Sequence, residues 1–261
     1  MAETPQGLLH LSRRYLYRDA PQEEALALLS GVRSRRVVVC VGDSNTEFAQ
    51  FTGPLAFKFE RRADVVNRGY SGYNSRWLLK LLTLAPDDYF PRERVALVTL
   101  LIGTNDAQAA EAQQVPLEEY ERNVEDIVKW WQERCPSAYV LVLGPPPTRN
   151  AAVNPKVEGY SDAAARAAGR RNAGFASLFE AFRGGNAKTT DEELAATMRG
   201  FLYDDVHLDA KGGGVVADAT VKHLRAGVPH LRPKFLPVDA PVFELLAQEG
   251  TQAMDRHLRR A

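Results

Sequence analysis

Val37-Val38-Val39-Cys40-Val41-Gly42-Asp43-Ser44-Asn45-Thr46 joins two unlike kinds of sequence. Its first five residues are apolar and mostly β-branched, which suits a strand covered on both faces. The run stops at a glycine, and an Asp-Ser pair follows at once. A serine in that place lies at the C-terminal lip of a sheet, where open α/β sheets put their ligands. It is either a nucleophile or the cap of the next helix.

Working outward, three further apolar runs read as buried strands: 64–67, 95–102 and 138–143. Between them lie helix-like segments. The clearest is 116–134, where Pro116 sets the start and Glu118 and Glu119 favour the positive end of the dipole. Leu117, Tyr120, Val124, Ile127, Val128 and Trp131 form its apolar stripe, with Trp131 rather than Trp130 at the centre. Residues 76–84, 161–172 and 211–225 also read as helical. Strands alternating with helices imply right-handed crossovers and an α/β fold with a doubly wound, mostly parallel sheet. The fifth strand is the weak point, because only 175–179 is available for it. Residues 1–35 read as an N-terminal helical extension and 36–228 as the α/β domain. Residues 229–261 form a tail expected to pack on the domain or on a partner, and the terminal segments leave a homo-oligomer open. Its segment from Pro229 to Pro241 is expected to be extended, and 242–260 to form one more helix.

The bulk composition narrows the function. The 261 residues suffice for a substantial core. Lys plus Arg total 33 and Asp plus Glu total 33, so nothing in the balance calls for nucleic acid or an anionic membrane. No apolar run is long enough to span a bilayer. The first thirty residues lack a signal-peptide core, although the basic segment 8–18 leaves organelle import open. The two cysteines, Cys40 and Cys135, sit in or beside apolar runs and read as reduced structural thiols, which suits the cytoplasm. No Cys/His spacing suggests a metal site.

The residues after each strand form the decisive set. Gly42-Asp43-Ser44 follows the first run. Asn67-Arg68-Gly69-Tyr70-Ser71-Gly72-Tyr73-Asn74 follows the second, and Gly103-Thr104-Asn105-Asp106 the third. Asp204-Asp205-Val206-His207 precedes the last helix. Each stretch supplies something acyl transfer needs. Ser44 is the candidate nucleophile and His207 the base that activates it. Asp204, three residues earlier, can orient the imidazole from a single turn. The Ser44 N–H, the Gly72 N–H and the Asn105 side-chain amide can form an oxyanion hole. Glycine at 72 is expected because a Cβ there would obstruct the reacting carbonyl.

In order and placement these stretches resemble the four sequence blocks of the SGNH (GDSL-type) hydrolase superfamily. The similarity spans residues 36 to 226, so 36–228 is read as the hydrolase domain. The stretch from Asn67 to Trp77, with Gly103-Thr104-Asn105-Asp106-Ala107, Val115 to Tyr120 and Gly144-Pro145-Pro146-Pro147, is similar to the isoamyl acetate-hydrolysing esterase subfamily. That resemblance implies a three-layer αβα sandwich of flavodoxin-like SGNH type, an esterase or lipase acting on small carboxylic esters, and no cofactor. Its known relatives include carbohydrate O-acetylesterases and thioesterases, and fold alone does not choose among them. A non-catalytic binding protein on the same fold is the reading from another class, and the intact Ser, Gly, Asn and Asp-x-x-His set weighs against it.

At position 45 an aliphatic residue is usual in GDSL-type members, although others carry Gly-Asp-Ser-Asn; here it is Asn45, which is expected to face the substrate and to bear on acyl preference. Tyr73, Arg76 and Pro146 are the other candidate substrate contacts. For Arg76 and Trp77 the competing reading is a salt bridge and a core indole, and for Pro146 a stiff loop. Ser71 is the rival nucleophile, but Gly69-Tyr70-Ser71-Gly72-Tyr73 breaks the G-x-S-x-G pattern at its last position. Asp43 and Asp106 are expected to hold their loops, and Asp205 to be solvated or bound to backbone.

Overall fold

The computed structural model describes residues 28–29, 33–86, 88–89, 92–107, 112–186 and 188–255. At its centre is a five-stranded sheet: β1 (Arg36–Gly42), β2 (Ala63–Gly69), β3 (Val95–Leu101), β4 (Tyr139–Leu143) and β5 (Gly174–Ala176). The order is β2-β1-β3-β4-β5, and every pairing is parallel. The helices are α1 (Ser44–Glu47), α2 (Thr52–Lys58), α3 (Ser75–Leu84), α4 (Leu117–Arg134), α5 (Asn154–Arg170), α6 (Leu178–Phe182), α7 (Asp191–Met198), α8 (Ala210–Gly227), α9 (Phe243–Glu249) and α10 (Gln252–Asp255).

The sheet order follows from the sequence runs. Every residue of β3 is buried, as are all of β1 except Arg36, because helices cover both faces. β2 is only partly buried beyond Ala63, as befits an edge strand. From β1 the chain moves one way to β2, then back across to β3, β4 and β5. Right-handed crossovers therefore put α3, α4 and α5 on one face and α2 on the other. The packing agrees: α4 lies between α3 and α5, while α8 packs on α2 and α6. The reversal between β1 and β3 opens a crevice at their C-terminal ends, with Ser44 and Asn105 on its two lips.

Local chemistry explains where elements differ from expectation. The fifth strand is shorter than 175–179. It ends at Ala176, because Ser177 caps α6 by accepting the Glu180 N–H at 3.1 Å, which turns Leu178 and Phe179 into helix. α5 begins at Asn154 rather than 161. Pro155 falls in its first turn, where a missing N–H costs nothing, and Gly159 is carried inside the helix. The tail from Pro229 is not extended. It makes two 3-10 turns, Pro229–Leu231 and Pro233–Phe235, each opened by a proline whose φ suits the first position. The single helix expected over 242–260 is interrupted at Gly250, which has a φ of 60°.

The described ends of the chain meet in a small second core of Leu29, Val238, Val242, Leu245 and Ala253. Val238 N–H donates to Leu28 O at 2.9 Å, and the Arg35 guanidinium grips Asp239. Leu28 and Leu29 are helical; the rest of the helical extension expected before residue 33 lies outside the described residues. Among the described residues, no helix is long and apolar enough to cross a membrane.

Candidate active site

The cap of α1 is Asp43, whose Oδ1 accepts the Asn45 N–H at 3.0 Å. Ser44 is therefore released from capping. Its Oγ lies 2.9 Å from His207 Nε2. His207 Nδ1 in turn lies 2.6 Å from Asp204 Oδ2, and Asp204 Oδ1 accepts the N–H groups of Val206 and His207 at 2.9 and 2.8 Å. The i, i+3 spacing thus closes on itself: one carboxylate orients both the ring and the backbone that carries it. Partial burial opposes ionisation of Asp204, but these backbone donors and the imidazole outweigh it and hold its pKa below the ordinary value. Asp205 is exposed.

The candidate oxyanion donors come from three strand ends. Ser44 is the first residue of α1, where a helix leaves its N–H groups without intrahelical acceptors. Gly72 has a φ of 77°, so a left-handed backbone is what favours glycine there. Within the protein, a Cβ at 72 would meet only Gln113 Nε2, at 3.5 Å, so the positive φ is the constraint the fold itself imposes there. Asn105 Nδ2 donates one hydrogen to Tyr73 O at 2.8 Å, leaving a second on the same nitrogen. Gln113 was not anticipated. Its Nε2 donates to Gly72 O at 3.0 Å and lies 3.5 Å from Asn105 Oδ1, so it braces two oxyanion candidates together. Gln113, followed by Gln114 in a loop, carries no periodic or motif signal that could have found it.

The expected substrate contacts fare differently. Asn45 does not present its side chain to solvent; it is 2% exposed and hydrogen-bonded to the loop bearing His207. Arg76 makes a two-pronged pair with Glu119 at 2.6 and 2.8 Å. Trp77 is 39% exposed rather than a core indole, and stands edge-on to Tyr73 at 6.1 Å. Pro145, Pro146 and Pro147 are all buried. Phe48 and Tyr203, neither singled out from the sequence, both pack against the His207 ring.

The rival readings find other partners. Ser71 donates its N–H to the Glu47 carboxylate. His223 pairs with the Tyr139 hydroxyl at 2.9 Å, and His230 is an exposed tail residue. His10 and His257 lie outside the described residues. Both cysteines are free and buried, and burial pushes the Cys40 thiol up to about 12, which removes it as a nucleophile. Asp43 and Asp106 lie beneath the site. Burial raises Asp43 to about 7 and Asp106 to about 6. Asp106 accepts the Ser75 N–H through both oxygens, so it ties α3 to the end of β3. Among the described residues, no cluster of three or more His, Cys, Asp or Glu could hold a metal ion. A groove of about 910 Å³ beside Lys58, Arg61, Lys222 and Arg225 is lined by none of Ser44, Gly72, Asn105, Asp204 or His207.

With that geometry in place, the comparison with known families is decisive. Residues 40–214 match the GDSL-like Lipase/Acylhydrolase family. The chain belongs to that family. A GDSL esterase/lipase of Arabidopsis thaliana is 32% identical over 228 residues, covering 79% of this chain and 92% of the relative. The isoamyl acetate-hydrolyzing esterase of Saccharomyces cerevisiae is 27% identical over 247 residues, covering 82% and 96%. Among solved structures, an acetylxylan esterase from Geobacillus stearothermophilus superposes with a TM-score of 0.57 at 18% identity, over 75% of this chain and 96% of that one. A GDSL-like lipase candidate from Parabacteroides merdae gives 0.60 at 18% identity, over 74% and 97%. These two likenesses establish the fold of this GDSL-family chain, an αβα arrangement around a parallel sheet.

Proposed function

We propose that this GDSL-family chain is a serine esterase that hydrolyses small carboxylic esters through an acyl-enzyme. The observation that carries the proposal is the 2.9 Å approach of Ser44 Oγ to an imidazole whose other nitrogen is held by Asp204. Ser44 Oγ attacks the ester carbonyl while His207 Nε2 takes its proton. The Ser44 N–H, the Gly72 N–H and the second Asn105 Nδ2 hydrogen receive the charge that develops on the carbonyl oxygen. As the tetrahedral intermediate collapses, the C–O bond to the alcohol breaks and His207 returns the proton to the departing alkoxide. Water then attacks the acyl carbon, losing its proton to His207, and Ser44 leaves reprotonated with the free acid as product.

The preference for small esters rests on the likeness to the yeast isoamyl acetate-hydrolyzing esterase over most of both chains. Two free, buried thiols support a reducing compartment such as the cytoplasm. The test is hydrolysis of p-nitrophenyl acetate and p-nitrophenyl octanoate by the wild type and by Ser44→Ala, with acetylated sugars and acyl-CoA as competing substrates. The expected result is acetate turnover that falls by more than about a hundredfold in the variant. Preference for acetyl-sugar or for acyl-CoA would move the function to carbohydrate deacetylation or thioester cleavage. Inertness towards every ester would favour a binding protein.

A further inference from the structure

Asn45 departs from the residue type expected at its position, and its side chain is directed at the backbone on either side of His207. Its Nδ2 donates to Val206 O at 3.2 Å, and its Oδ1 accepts the Leu208 N–H at 2.9 Å. In an extended segment, the carbonyl of one residue and the N–H two residues later face the same edge. A primary amide, with donor and acceptor side by side, fits that edge as a neighbouring strand would. The opposite edge belongs to His207 itself. Its N–H donates to Asp204 Oδ1 at 2.8 Å, and its carbonyl accepts the Tyr203 N–H at 3.0 Å. The four backbone groups that set the height and tilt of the imidazole are thus all engaged, two of them by Asn45.

The other end of the clamp is fixed as well. The Asn45 N–H is bound by the buried Asp43 carboxylate, and the residue is 2% exposed. Asn45 is covalently next to Ser44, so one residue ties the nucleophile's turn to the base's loop across 163 positions of sequence. We propose that Asn45 is a positioning residue that sets the Ser44–His207 distance by gripping Val206 and Leu208. This rests on the reading of Ser44 and His207 as nucleophile and base. An aliphatic side chain at 45 could fill the space but would leave a carbonyl and an N–H without partners. Aspartate would keep the acceptor and lose the donor until it is protonated.

The experiment is a double-mutant cycle on the full chain with p-nitrophenyl acetate: wild type, Asn45→Leu, His207→Ala and the pair. Circular dichroism and thermal melting confirm that each variant is folded. A displaced base costs rate rather than binding, so kcat in Asn45→Leu should fall about 10- to 100-fold with KM within about twofold. In the His207→Ala background the same change should alter the residual rate by less than about twofold. Wild-type kcat in Asn45→Leu, a rise in KM alone, or an equal loss in both backgrounds would overturn the proposal. Wild-type activity in His207→Ala would instead overturn the esterase reading beneath it. If Asn45→Leu does not fold, Asn45→Asp takes its place. Its kcat relative to wild type at the same pH should rise from pH 8 to about 5.5, as the buried carboxyl gains the proton that replaces the lost donor. A flat ratio would count against the clamp.

Discussion

The phenol ring of Tyr203 lies parallel to the imidazole of His207, with centroids 5.5 Å apart and planes 10° from coplanar orientation. Phe48 meets the same imidazole at 5.1 Å with its ring tilted by 51°. In the proposed reaction the imidazole becomes a cation in each transition state, and an aromatic face favours a cation by about 0.5–1 kcal/mol at an exposed position. Tyr203→Ala should therefore lower kcat roughly two- to fivefold, while Tyr203→Phe stays near wild type. Steady-state kinetics on a short-chain ester checks this. Equal losses in both variants would assign the effect to the hydroxyl instead.

Asn105 and Gly72 should separate loss of catalysis from loss of stability. Asn105→Ala removes one of the proposed oxyanion donors and should cost about 10²–10³ in kcat with little change in KM. Gly72→Ala has room for its Cβ but must hold a φ of 77°, which an L residue resists by roughly 1–2 kcal/mol. The expected outcome is a lower kcat together with a melting temperature reduced by a few degrees.

Asp43 makes stability depend on pH in the opposite sense to an ordinary paired carboxylate. Burial raises its pKa to about 7, above its unfolded value near 3.8. Between those values the folded chain holds a proton that the unfolded chain has released, so stability falls as pH rises through that window. Asp43→Asn keeps an oxygen for the Asn45 N–H and removes the ionisation. The wild type should lose melting temperature from about pH 5 to pH 8, and the variant should lose less, as followed by calorimetry. A residual slope is expected from Asp106, which burial raises to about 6.

Asp239 behaves in the usual way. Partial burial opposes its charge, but Arg35 and Arg61 hold its pKa below the ordinary carboxylate value. Its contribution is complete above the unfolded pKa and is lost as pH falls through the lowered folded value. Asp239→Ala should reduce stability by on the order of 1 kcal/mol at pH 7. The difference from wild type should vanish towards about pH 2.

Much of this architecture can be read directly from the residues. Continuous apolar runs such as 95–102 report burial on both faces, and the strand ends carry their chemistry in plain view. What could not be read depends on neighbours. Gly174-Phe175-Ala176 is a strand because β4 offers it a free edge, not because its own side chains prefer one. Pro155 looks like a helix breaker until its place in the first turn is known. Asn45 was expected to face the substrate because its chemistry is visible and its direction is not. The second 3-10 turn of the tail is held from outside, by the Arg62 guanidinium that bonds Lys234 O and Leu236 O.

A fluorophosphonate phosphonylates an activated serine, so treating the chain with one and locating the adduct by peptide mass spectrometry reads the nucleophile proposed here. One adduct per chain is expected, on Ser44, absent from Ser44→Ala and greatly slowed in His207→Ala. An adduct on Ser71, or none on a folded chain that hydrolyses esters, would contradict it.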